Sequence, residues 1–365
     1  MKKILTVTTN FGLGPVSKLY SIIKKLEETI PNVSITFCGS NEAISFLKQS
    51  LDINIAYIDE DTDAISQESF LSIAREYDFI LNVMNFHVQD ISMNNIRSKE
   101  IFVDSLNWLW PDSIAGIDEC LVYFMQRAFP SFGIGFKTKN MVEIDPIVNV
   151  SNLKIKNNER IKEILINVAG VYVPNKEDKF SFFYLEQYLK ILFKLKLMEK
   201  YKIVVACNKR QKKVFENKLY TKNVVFKIFT HDLFLKESQI AYKVFSTSGL
   251  TFYLESRRLG LNVHYLLPSN YSQALLLEKY KEFGRTDLSI SSFGDEYNIP
   301  NSLEEDYGVE LTRKIVKDIF DKYNDKVCHE IKLITADCMP DSILNTETVA
   351  KNGAKQVADF IKEIL

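Results

Sequence analysis

Short apolar runs rich in β-branched residues alternate with amphipathic helical stretches along most of this 365-residue chain. This alternation is typical of parallel sheets covered on both faces by helices, because each parallel connection must cross back over the sheet. The pattern therefore predicts an α/β fold. In the first half, strands are predicted at KILTVTT, VSITFCG, INIAYI, DFILNVM, EIFVDS and CLVYFM, with a helix at PVSKLYSIIKKLEETI.

A polar stretch separates this set from a second one. Residues 147–160, IVNVSNLKIKNNER, lose helical periodicity and are rich in Asn and Lys, as a surface connection between domains should be. The chain also exceeds the roughly 250–300 residues at which a single core stops growing. We predict an N-terminal Rossmann-like domain over residues 1–155, a C-terminal one over 156–345, and a final helix over 346–365 that packs across both.

The second set repeats the rhythm of the first. Strands are predicted at KEILINVAG, YKIVVAC, NVVFKIF, AYKVFS and NVHYLL, and helices at KFSFFYLEQYLKILFKLKLMEK, DLFLKESQI and GLTFYLESRRL. Two such domains would face each other across a cleft at the carboxyl ends of their strands, where open α/β sheets bind ligands. We therefore look for functional residues in the loops that follow the strands.

Composition gives no electrostatic reason to expect nucleic acid or an anionic membrane as a partner, since 46 basic and 47 acidic side chains leave a net charge of −1. The five cysteines form no CxxC pair, which favours a reducing compartment. The N-terminal run MKKILTVTTNFG has the features of a strand rather than of a signal peptide. No apolar run approaches the ~18 residues that span a bilayer. We expect a cytoplasmic protein without a transmembrane segment.

The first strand-to-helix turn, TTNFGLGPVSK, is rich in glycine. Gly12 and Gly14 follow the strand, and Pro15 suits the first position of a helix. The turn is a poor dinucleotide fingerprint, because Ser17 replaces the third glycine and the second strand ends in CGS without an acidic residue. Two interpretations remain: the glycines only turn the chain, or their backbone forms a wall against a bound acceptor or phosphate.

A second turn, VFSTSGLTF, starts a helix with small residues, so that unpaired N–H groups and the helix dipole suit a diphosphate. Glu255 lies two helical turns beyond Ser248, on about the same face, and could accept both hydroxyls of a ribose; the alternative is a solvated surface glutamate. The next loop, LPSNYSQ, offers Asn270, Ser272 and Gln273, whose hydrogen-bonding groups suit a sugar ring.

The segment NVVFKIFTHDLFLKESQIAYKVFSTSGLTFYLESRRLGLNVHYLLPSNYSQ resembles the donor-binding half of glycosyltransferases with the GT-B fold. The likeness is greatest to the branch of the N-acetylglucosaminyl transferase of peptidoglycan synthesis and related nucleotide-sugar enzymes. ILINVAG resembles the first donor-domain strand of that family, and TTNFGLGPVSK resembles its first acceptor-domain loop. The resemblance implies a nucleoside-diphosphate sugar, most simply of the UDP type, as co-substrate, with no other cofactor.

The resemblance also implies site residues. On the donor side they are Ala169 and Gly170 along the donor, the backbone near Phe229 at the base, Ser248, Gly249, Leu250 and Thr251 at the diphosphate, Glu255 at the ribose, and Ser272 and Gln273 at the transferred sugar. On the acceptor side they are Gly12, Leu13 and Gly14.

Two departures from the family pattern bear on mechanism. Many relatives carry a histidine after the glycines of the first loop, where this chain has Pro15, so a histidine base cannot be transferred from them. Retaining members usually place a glutamate eight residues before the ribose glutamate, and that position is Thr247 here. The resemblance therefore favours inversion, with an in-line attack on the anomeric carbon.

Two residues after strands of the first domain are candidates for the catalytic base. Asp104 in EIFVDSLNWLWP could instead cap the following turn, and His87 in NVMNFHVQD could instead be a structural histidine. Trp108 and Trp110 could stack on an acceptor or belong to the core.

No metal site is predicted. The acidic run IDEDTDA has the character of a solvated loop, and the histidines His231, His264 and His329 are too scattered to share an ion.

These observations predict a metal-independent glycosyltransferase of the hexosyl or N-acetylhexosaminyl type, which would act on a small-molecule or lipid-linked acceptor. Two alternatives remain open. A nucleotide-sugar hydrolase or epimerase could use the same donor pocket, and a non-catalytic protein could bind the nucleotide sugar after losing the base.

Overall fold

The computed structural model describes residues 2–30, 32–51, 54–92, 94–109, 114–128, 133–150, 161–171, 179–216, 223–281, 288–336 and 352–365. The chain divides into two compact units. Unit 1 combines Met1–Asn149 with Thr348–Leu365, and unit 2 is Val150–Glu347. The domain boundary predicted near residue 155 lies outside the described residues.

Unit 1 contains a seven-stranded parallel sheet. Its strands are β1 (Lys3–Thr8), β2 (Ser34–Gly39), β3 (Ala56–Asp59), β4 (Phe79–Val83), β5 (Glu100–Asp104), β6 (Val122–Gln126) and β7 (Met141–Ile144). They lie in the order β3-β2-β1-β4-β5-β6-β7, and every neighbouring pair is parallel. In this doubly wound order, the direction of winding reverses between β1 and β4, where such sheets bind ligands.

The sequence pattern predicts β1 to β6 but not β7. The edge strand β7 has only four residues, and two of them, Val142 and Glu143, are exposed. A strand of this length with mixed exposure carries little periodic pattern. The prediction therefore stops one strand short of the sheet edge.

Five helices are described after the strands of unit 1. They are α1 (Gly14–Thr29), α2 (Asn41–Ser50), α3 (Gln67–Ala74), α4 (Phe86–Ile91) and α5 (Asn94–Arg97), with short 3-10 turns at Asn107–Leu109 and Ile117–Glu119. Helix α1 buries Leu19, Ile22, Ile23 and Leu26, whose spacing of three and four residues places them on one face. That face packs into the same apolar core as β1, β2 and β4.

Unit 2 contains a five-stranded parallel sheet. Its strands are β8 (Ile161–Asn167), β9 (Lys202–Ala206), β10 (Val224–Lys227), β11 (Ala241–Ser246) and β12 (Val263–Tyr265). Their order is β10-β9-β8-β11-β12, with every pair parallel. The winding reverses between β8 and β11, so the loops that follow these two strands mark the expected ligand position.

Eight helices are described in unit 2. They are α6 (Lys179–Lys194), α7 (Leu197–Lys200), α8 (Lys209–Phe215), α9 (His231–Ile240), α10 (Leu250–Arg258), α11 (Tyr271–Lys281), α12 (Glu305–Lys322) and α13 (Asn324–Thr335), with a 3-10 turn at Ile290–Phe293. The run KFSFFYLEQYLKILFKLKLMEK, predicted as one helix, forms two. Lys196 lies between them with a φ of 55°, a left-handed conformation that interrupts a right-handed helix.

The last helix, α14 (Gly353–Ile364), returns to unit 1 and packs against α1. A Cβ atom on Gly353 would lie 2.0 Å from the carbonyl oxygen of Asp145, so only glycine allows this approach. Gln356 Oε1 accepts a hydrogen bond from the Asp145 amide at 2.8 Å, and Asn352 Nδ2 donates to the carbonyl oxygen of Val148 at 3.1 Å. These contacts fix the start of α14 on the segment that follows β7.

Within the described ranges, no helix combines the length and the apolar character that crossing a membrane requires.

Candidate functional site

The turn between β11 and α10 is anchored from the side of α11. Ser248 is fully buried, and its Oγ donates to the carbonyl oxygen of Gln273 at 2.9 Å. The hydroxyl of Tyr280 donates to the carbonyl oxygen of Ser248 at 3.4 Å. Both bonds use the side chain or the carbonyl of Ser248, and they hold the turn in place from the side of α11.

Helix α10 begins without a side-chain cap. Gly249 is its N-cap residue and supplies no side chain, and no side-chain cap bond is found there. The first N–H groups of a helix have no partner within the helix, and together with the helix dipole they form an anion site. Leu250 and Thr251 are the first two residues of α10, and both are buried. This end of α10 is therefore suited to a diphosphate.

Two glycines lie at the carboxyl edge of the sheet, one after β8 and one after β11. A Cβ atom added to Gly170 or to Gly249 would meet no atom within 4 Å. Because β8 and β11 are neighbours, both open positions flank the point at which the winding of the sheet reverses. Ala169, next to Gly170, is partly exposed. The backbone here leaves room for a ligand to approach closely.

Glu255 lies inside unit 2 and not on its surface. The residue is 2 % exposed, which excludes the solvated glutamate that was the alternative for this position. Its Oε1 accepts a hydrogen bond from His231 Nε2 at 2.8 Å. Glu255 is therefore a buried carboxylate with a cationic partner, on the helix whose first residues form the candidate diphosphate site.

His231, the first residue of α9, is buried and lies between two carboxylates. Its Nδ1 is 3.5 Å from Asp232 Oδ1, and its Nε2 contacts Glu255. Burial acts to lower the pKa of the His231 imidazole, but the carboxylates of Glu255 and Asp232 outweigh burial and raise this pKa to about 9. His231 is therefore an imidazolium at neutral pH.

Apolar rings lie beside this ion pair. The half-buried ring of Phe229 is 6.2 Å from that of Phe234, which is 4.9 Å from that of Phe252 on α10. The ammonium group of Lys227 lies 5.4 Å from the centre of the Phe229 ring. The rings are edge-on or tilted to one another, at 61° and 56°, so no extended flat surface forms, but the half-buried face of Phe229 suits a nucleobase, which the family resemblance places at the backbone near Phe229.

The loop before α11 uses its amide oxygens internally. Asn270 Oδ1 accepts bonds from the Gln273 amide at 3.0 Å and from Ser272 Oγ at 3.1 Å. Gln273 Oε1 accepts bonds from the amide and hydroxyl of Ser269, both at 2.9 Å. These bonds form a cap for α11 and rigidify the loop. The amide nitrogens of Asn270 and Gln273 take no part in them.

In unit 1, the acidic run IDEDTDA holds the turn after β1. The Asn10 amide donates to Asp63 Oδ2 and Asn10 Nδ2 donates to Asp61 Oδ1, each at 2.8 Å. Gly12 adopts a φ of 66° in the same turn, in the left-handed region that glycine reaches without steric cost. The sequence pattern predicted a solvated loop here. It did not predict the hydrogen bonds of Asp61 and Asp63 to Asn10.

The start of α1 also lacks a side-chain cap. Leu13 is the N-cap residue and packs partly against the core of unit 1, and Gly14 and Pro15 open the helix. A second uncapped helix start thus lies at the carboxyl edge of a sheet, here after β1.

His87 is the second residue of α4, the helix that follows the neighbouring strand β4. Met84 opens the connection from β4 to α4 at a φ of 64°, which is rare for a side chain of its size. Asn85 then caps α4 through the Val88 amide at 2.8 Å, and its Nδ2 donates to Asp63 Oδ1 at 3.0 Å. The turns after β1 and β4 are therefore one hydrogen-bonded structure.

One nitrogen of the His87 imidazole forms a hydrogen bond within the protein. Its Nε2 lies 2.8 Å from the carbonyl oxygen of Ile65. Because a carbonyl can only accept, Nε2 must carry the proton, and in the neutral ring Nδ1 then carries the lone pair. Nδ1 is therefore the nitrogen of His87 that can accept a proton.

Asp104, the other candidate base, is fully buried. Its Oδ1 accepts from the Leu106 amide at 2.6 Å, and its Oδ2 accepts from the Tyr123 hydroxyl at 2.5 Å. Burial and the Asp104 carboxylate together raise the pKa of the Tyr123 phenol. Asp104 thus makes the capping contact that was the alternative to a catalytic role. Trp108 lies in the following 3-10 turn and is partly exposed, whereas Trp110 lies outside the described residues.

A groove of about 880 Å³ lies elsewhere in unit 2, along α6 and α12. Its lining mixes both signs of charge, for example Lys314, Lys317 and Asp318, and contains none of the donor-site residues predicted from the sequence. We take the sheet edge, and not this groove, as the candidate donor site because open α/β sheets bind nucleotides at their carboxyl edge.

Sequence reasoning missed His231, since nothing in its local sequence separates it from the other histidines. The pairing with Glu255 spans 24 positions along the chain and is created by the packing of α9 against α10. No group of three or more His, Cys, Asp or Glu side chains that could hold a metal ion occurs in the part of the chain that the structure describes.

A scan against models of protein families finds no match for this chain. A search of curated proteins also finds no match.

Solved structures, in contrast, match over nearly the whole chain. The glycotransferase of kitacinnamycin has a TM-score of 0.54 and 14% identity, with 99% of this chain and 98% of that chain covered. MurG of Acinetobacter baumannii has a TM-score of 0.51 and 14% identity, with 100% of both chains covered. UGT89C1 of Arabidopsis thaliana, solved in complex with UDP, has a TM-score of 0.50 and 10% identity, covering 100% of this chain and 99% of that chain.

At these identities the similarity concerns the fold. Two doubly wound parallel sheets in one chain are matched across the full length of proteins that are named glycosyltransferases. The predicted α/β class is confirmed, and the chain has the GT-B glycosyltransferase fold that its sequence resembles.

Proposed function

We propose that this protein is a glycosyltransferase that moves a sugar from a nucleoside diphosphate, of the UDP type, to a hydroxyl or amine of a small-molecule or lipid-linked acceptor. The observation that carries the proposal is the combination, on α10, of an uncapped start after the buried Ser248 and a buried carboxylate at Glu255. One end of the helix suits a diphosphate, and the carboxylate further along suits a ribose. Unit 2 is then the donor-binding domain.

Transfer of a sugar places negative charge on the departing diphosphate. The amides at Leu250 and Thr251 would stabilise this charge without a metal ion, because they are fixed in direction before the bond breaks. The open positions at Gly170 and Gly249 would admit the diphosphate to the backbone. Asn270, Ser272 and Gln273 would meet the transferred sugar, from a loop that its internal bonds hold rigid.

The acceptor would bind unit 1 beside Gly12, Leu13, Gly14 and Trp108. An inverting reaction needs a base that takes a proton from the attacking hydroxyl. Of the two candidates, His87 is favoured by its geometry, because its Nε2 is bound to Ile65 and its Nδ1 carries the lone pair. Asp104 is disfavoured because both of its oxygens accept bonds from the protein.

A panel of nucleoside diphosphates in a thermal-shift assay tests the donor role. A ligand that binds only the folded protein stabilises it by about 2.7 kcal/mol at one hundred times its Kd. We expect UDP to raise the midpoint of unfolding more than GDP, ADP or CDP. If none of the four raises it, the proposal fails.

Product analysis then tests the reaction. With UDP-sugars and a mixture of acceptors, we expect a new glycoside and UDP in equal amounts, and no consumption of the UDP-sugar without an acceptor. Release of the sugar in the absence of an acceptor would indicate a hydrolase. An altered sugar still joined to its nucleotide would indicate an epimerase, and binding without turnover would indicate a non-catalytic protein.

A further inference from the structure

The contact between His231 and Glu255 is fixed by the packing of two helices of unit 2. His231 opens α9, where Thr230 caps the helix, and Glu255 lies on α10. The rings of Phe234 on α9 and Phe252 on α10 pack at 4.9 Å and hold the two helices together beside the pair. The 2.8 Å contact is thus set by helix packing and not by two mobile surface chains.

The pair fixes one oxygen of the carboxylate. Glu255 Oε1 accepts from the imidazolium, and within the described residues Oε2 accepts no hydrogen bond. His231 and Glu255 are 7 % and 2 % exposed, so neither group can exchange its partner for bulk water without rearrangement. A buried carboxylate keeps its charge only when such a partner compensates for lost hydration.

This arrangement changes what Glu255 can recognise. A carboxylate has about four acceptor positions, two on each oxygen, and can offer one oxygen to each hydroxyl of a ribose. Here a buried cation takes an acceptor position of Oε1 and fixes the direction of the carboxylate, so Oε2 is the oxygen that stays fully open to the nucleoside. We propose that His231 is a positioning residue that occupies one oxygen of Glu255, so that the donor site recognises a single ribose hydroxyl and tolerates loss of the other.

The inference rests on the proposed binding of the donor ribose by Glu255, and it extends the class of donors. A site that recognises one hydroxyl accepts ribonucleoside diphosphates and also one class of deoxyribonucleoside diphosphates. The hydroxyl that points towards Glu255 Oε2 decides which class is accepted.

The test on the unaltered protein uses UDP, 2′-deoxy-UDP and 3′-deoxy-UDP in titration calorimetry. We expect one deoxy analogue to bind at least about 10-fold more weakly than UDP, as loss of a charge-assisted hydrogen bond would produce, and the other to bind within about 3-fold. Equal losses of about 10-fold for both analogues would overturn the inference, because they would show two separate hydroxyl contacts. Binding of both analogues as tight as UDP would also overturn it.

Variants test whether His231 acts through Glu255. We expect His231→Gln, which keeps a donor nitrogen, to bind UDP within about 3-fold of the parent, and His231→Ala to lose about 10-fold. His231→Ala should also reduce the ratio of the affinity for UDP to that for the weaker deoxy analogue. The double variant His231→Ala/Glu255→Ala should bind UDP no more weakly than Glu255→Ala alone, because His231 acts through Glu255. A weaker His231→Ala that keeps the full preference would reveal a merely structural role and overturn the inference.

Failure of the inference can be separated from failure of the proposed function. If Glu255→Ala binds UDP as tightly as the parent, the ribose role itself is wrong, whatever the analogues show. His329→Gln, on the exposed face of α13, is the matched histidine control and should bind all three nucleotides like the parent. Thermal unfolding of each variant without nucleotide identifies any loss that comes from misfolding.

Discussion

At Glu255, burial makes the proposed ribose contact sensitive to substitution. Glu255→Ala should weaken UDP binding by about 1–3 kcal/mol, because it removes the charged partner of a hydrogen bond. Titration calorimetry measures the change directly. Glu216→Ala is a suitable control, since Glu216 is a glutamate of the same unit that forms an exposed ion pair with Lys212. Equal UDP affinity in Glu255→Ala and the parent would reject the ribose role.

His87 and Asp104 make different predictions as candidate bases. His87→Gln should lower kcat by about 10²–10⁴-fold and leave UDP affinity unchanged, because a general base acts on the reacting proton and not on the donor. Steady-state kinetics and calorimetry separate the two effects, with His329→Gln as control. Asp104→Asn should mainly lower stability, since Asp104 bonds the buried hydroxyl of Tyr123. Full stability of Asp104→Asn with loss of turnover would move the base to Asp104.

Single residues could be predicted from the sequence only where local spacing fixes their position. Glu255 was identified because seven positions along a helix bring it back to the face of Ser248. The partner of Glu255 could not be identified, because His231 reaches it only after α9 and α10 have packed. The bonds of Asp104 to Tyr123 were missed for the same reason, since the two residues lie on different strands.

At the scale of elements, the buried carboxylate of Glu100 on β5 connects β4 with the turn before β6. Asn82 on β4 donates to its Oε1 at 2.7 Å, and Cys120, just before β6, donates to its Oε2 at 3.6 Å. Burial is the main cause that raises the pKa of the Glu100 carboxyl to about 7. The folded state therefore binds a proton that the unfolded chain, with a glutamate pKa of about 4.3, has released.

This difference predicts a pH dependence of stability. Between pH 4.3 and 7 the folded state holds the extra proton, so the contribution of Glu100 is fully present below the lower value and is lost as the pH rises, by about 4 kcal/mol. Glu100→Gln, a neutral side chain of similar shape, should lack this term. Urea unfolding should therefore show that the free energy of unfolding of Glu100→Gln, relative to that of the parent, is higher at pH 8 than at pH 5. Glu143→Gln, on the exposed edge strand β7, should follow the parent, and an equal advantage of Glu100→Gln at both pH values would contradict the assignment.

Helices and strands were predicted well where their apolar pattern is strong. They were predicted poorly where the backbone conformation of one residue ends a helix. The apolar runs predicted every strand of unit 2, because strands covered on both faces are continuously apolar. Periodicity could not predict the break between α6 and α7, which depends on the left-handed conformation of Lys196. Sequence motifs also left α11, α12 and α13 undescribed, although α11 anchors the Ser248 turn.

In the molecule as a whole, the chain begins in unit 1, continues through unit 2 and ends with a helix of unit 1. The sequence predicted a terminal helix, and α14 is packed into the core of unit 1 although it follows unit 2 in the sequence. Its buried residues Ala354, Val357, Ala358 and Ile361 have helical spacing, so the existence of the helix was predictable. Its contacts with α1 depend on the path of the chain and could not be read from that spacing.

This topology predicts that a change near the end of the chain destabilises its beginning. Ile361 is fully buried against α1, so Ile361→Ala should lower the free energy of unfolding of unit 1 by about 2–5 kcal/mol, through lost burial and the cavity that remains. Hydrogen exchange should become faster in β1, β4 and α1 and stay unchanged in β8 and β11, because the described buried residues of α14 lie in the core of unit 1. Lys362→Ala, on the exposed side of the same helix, should change stability by less than about 0.5 kcal/mol. Faster exchange in β8 and β11 than in β1 and β4 would show that α14 stabilises unit 2 instead.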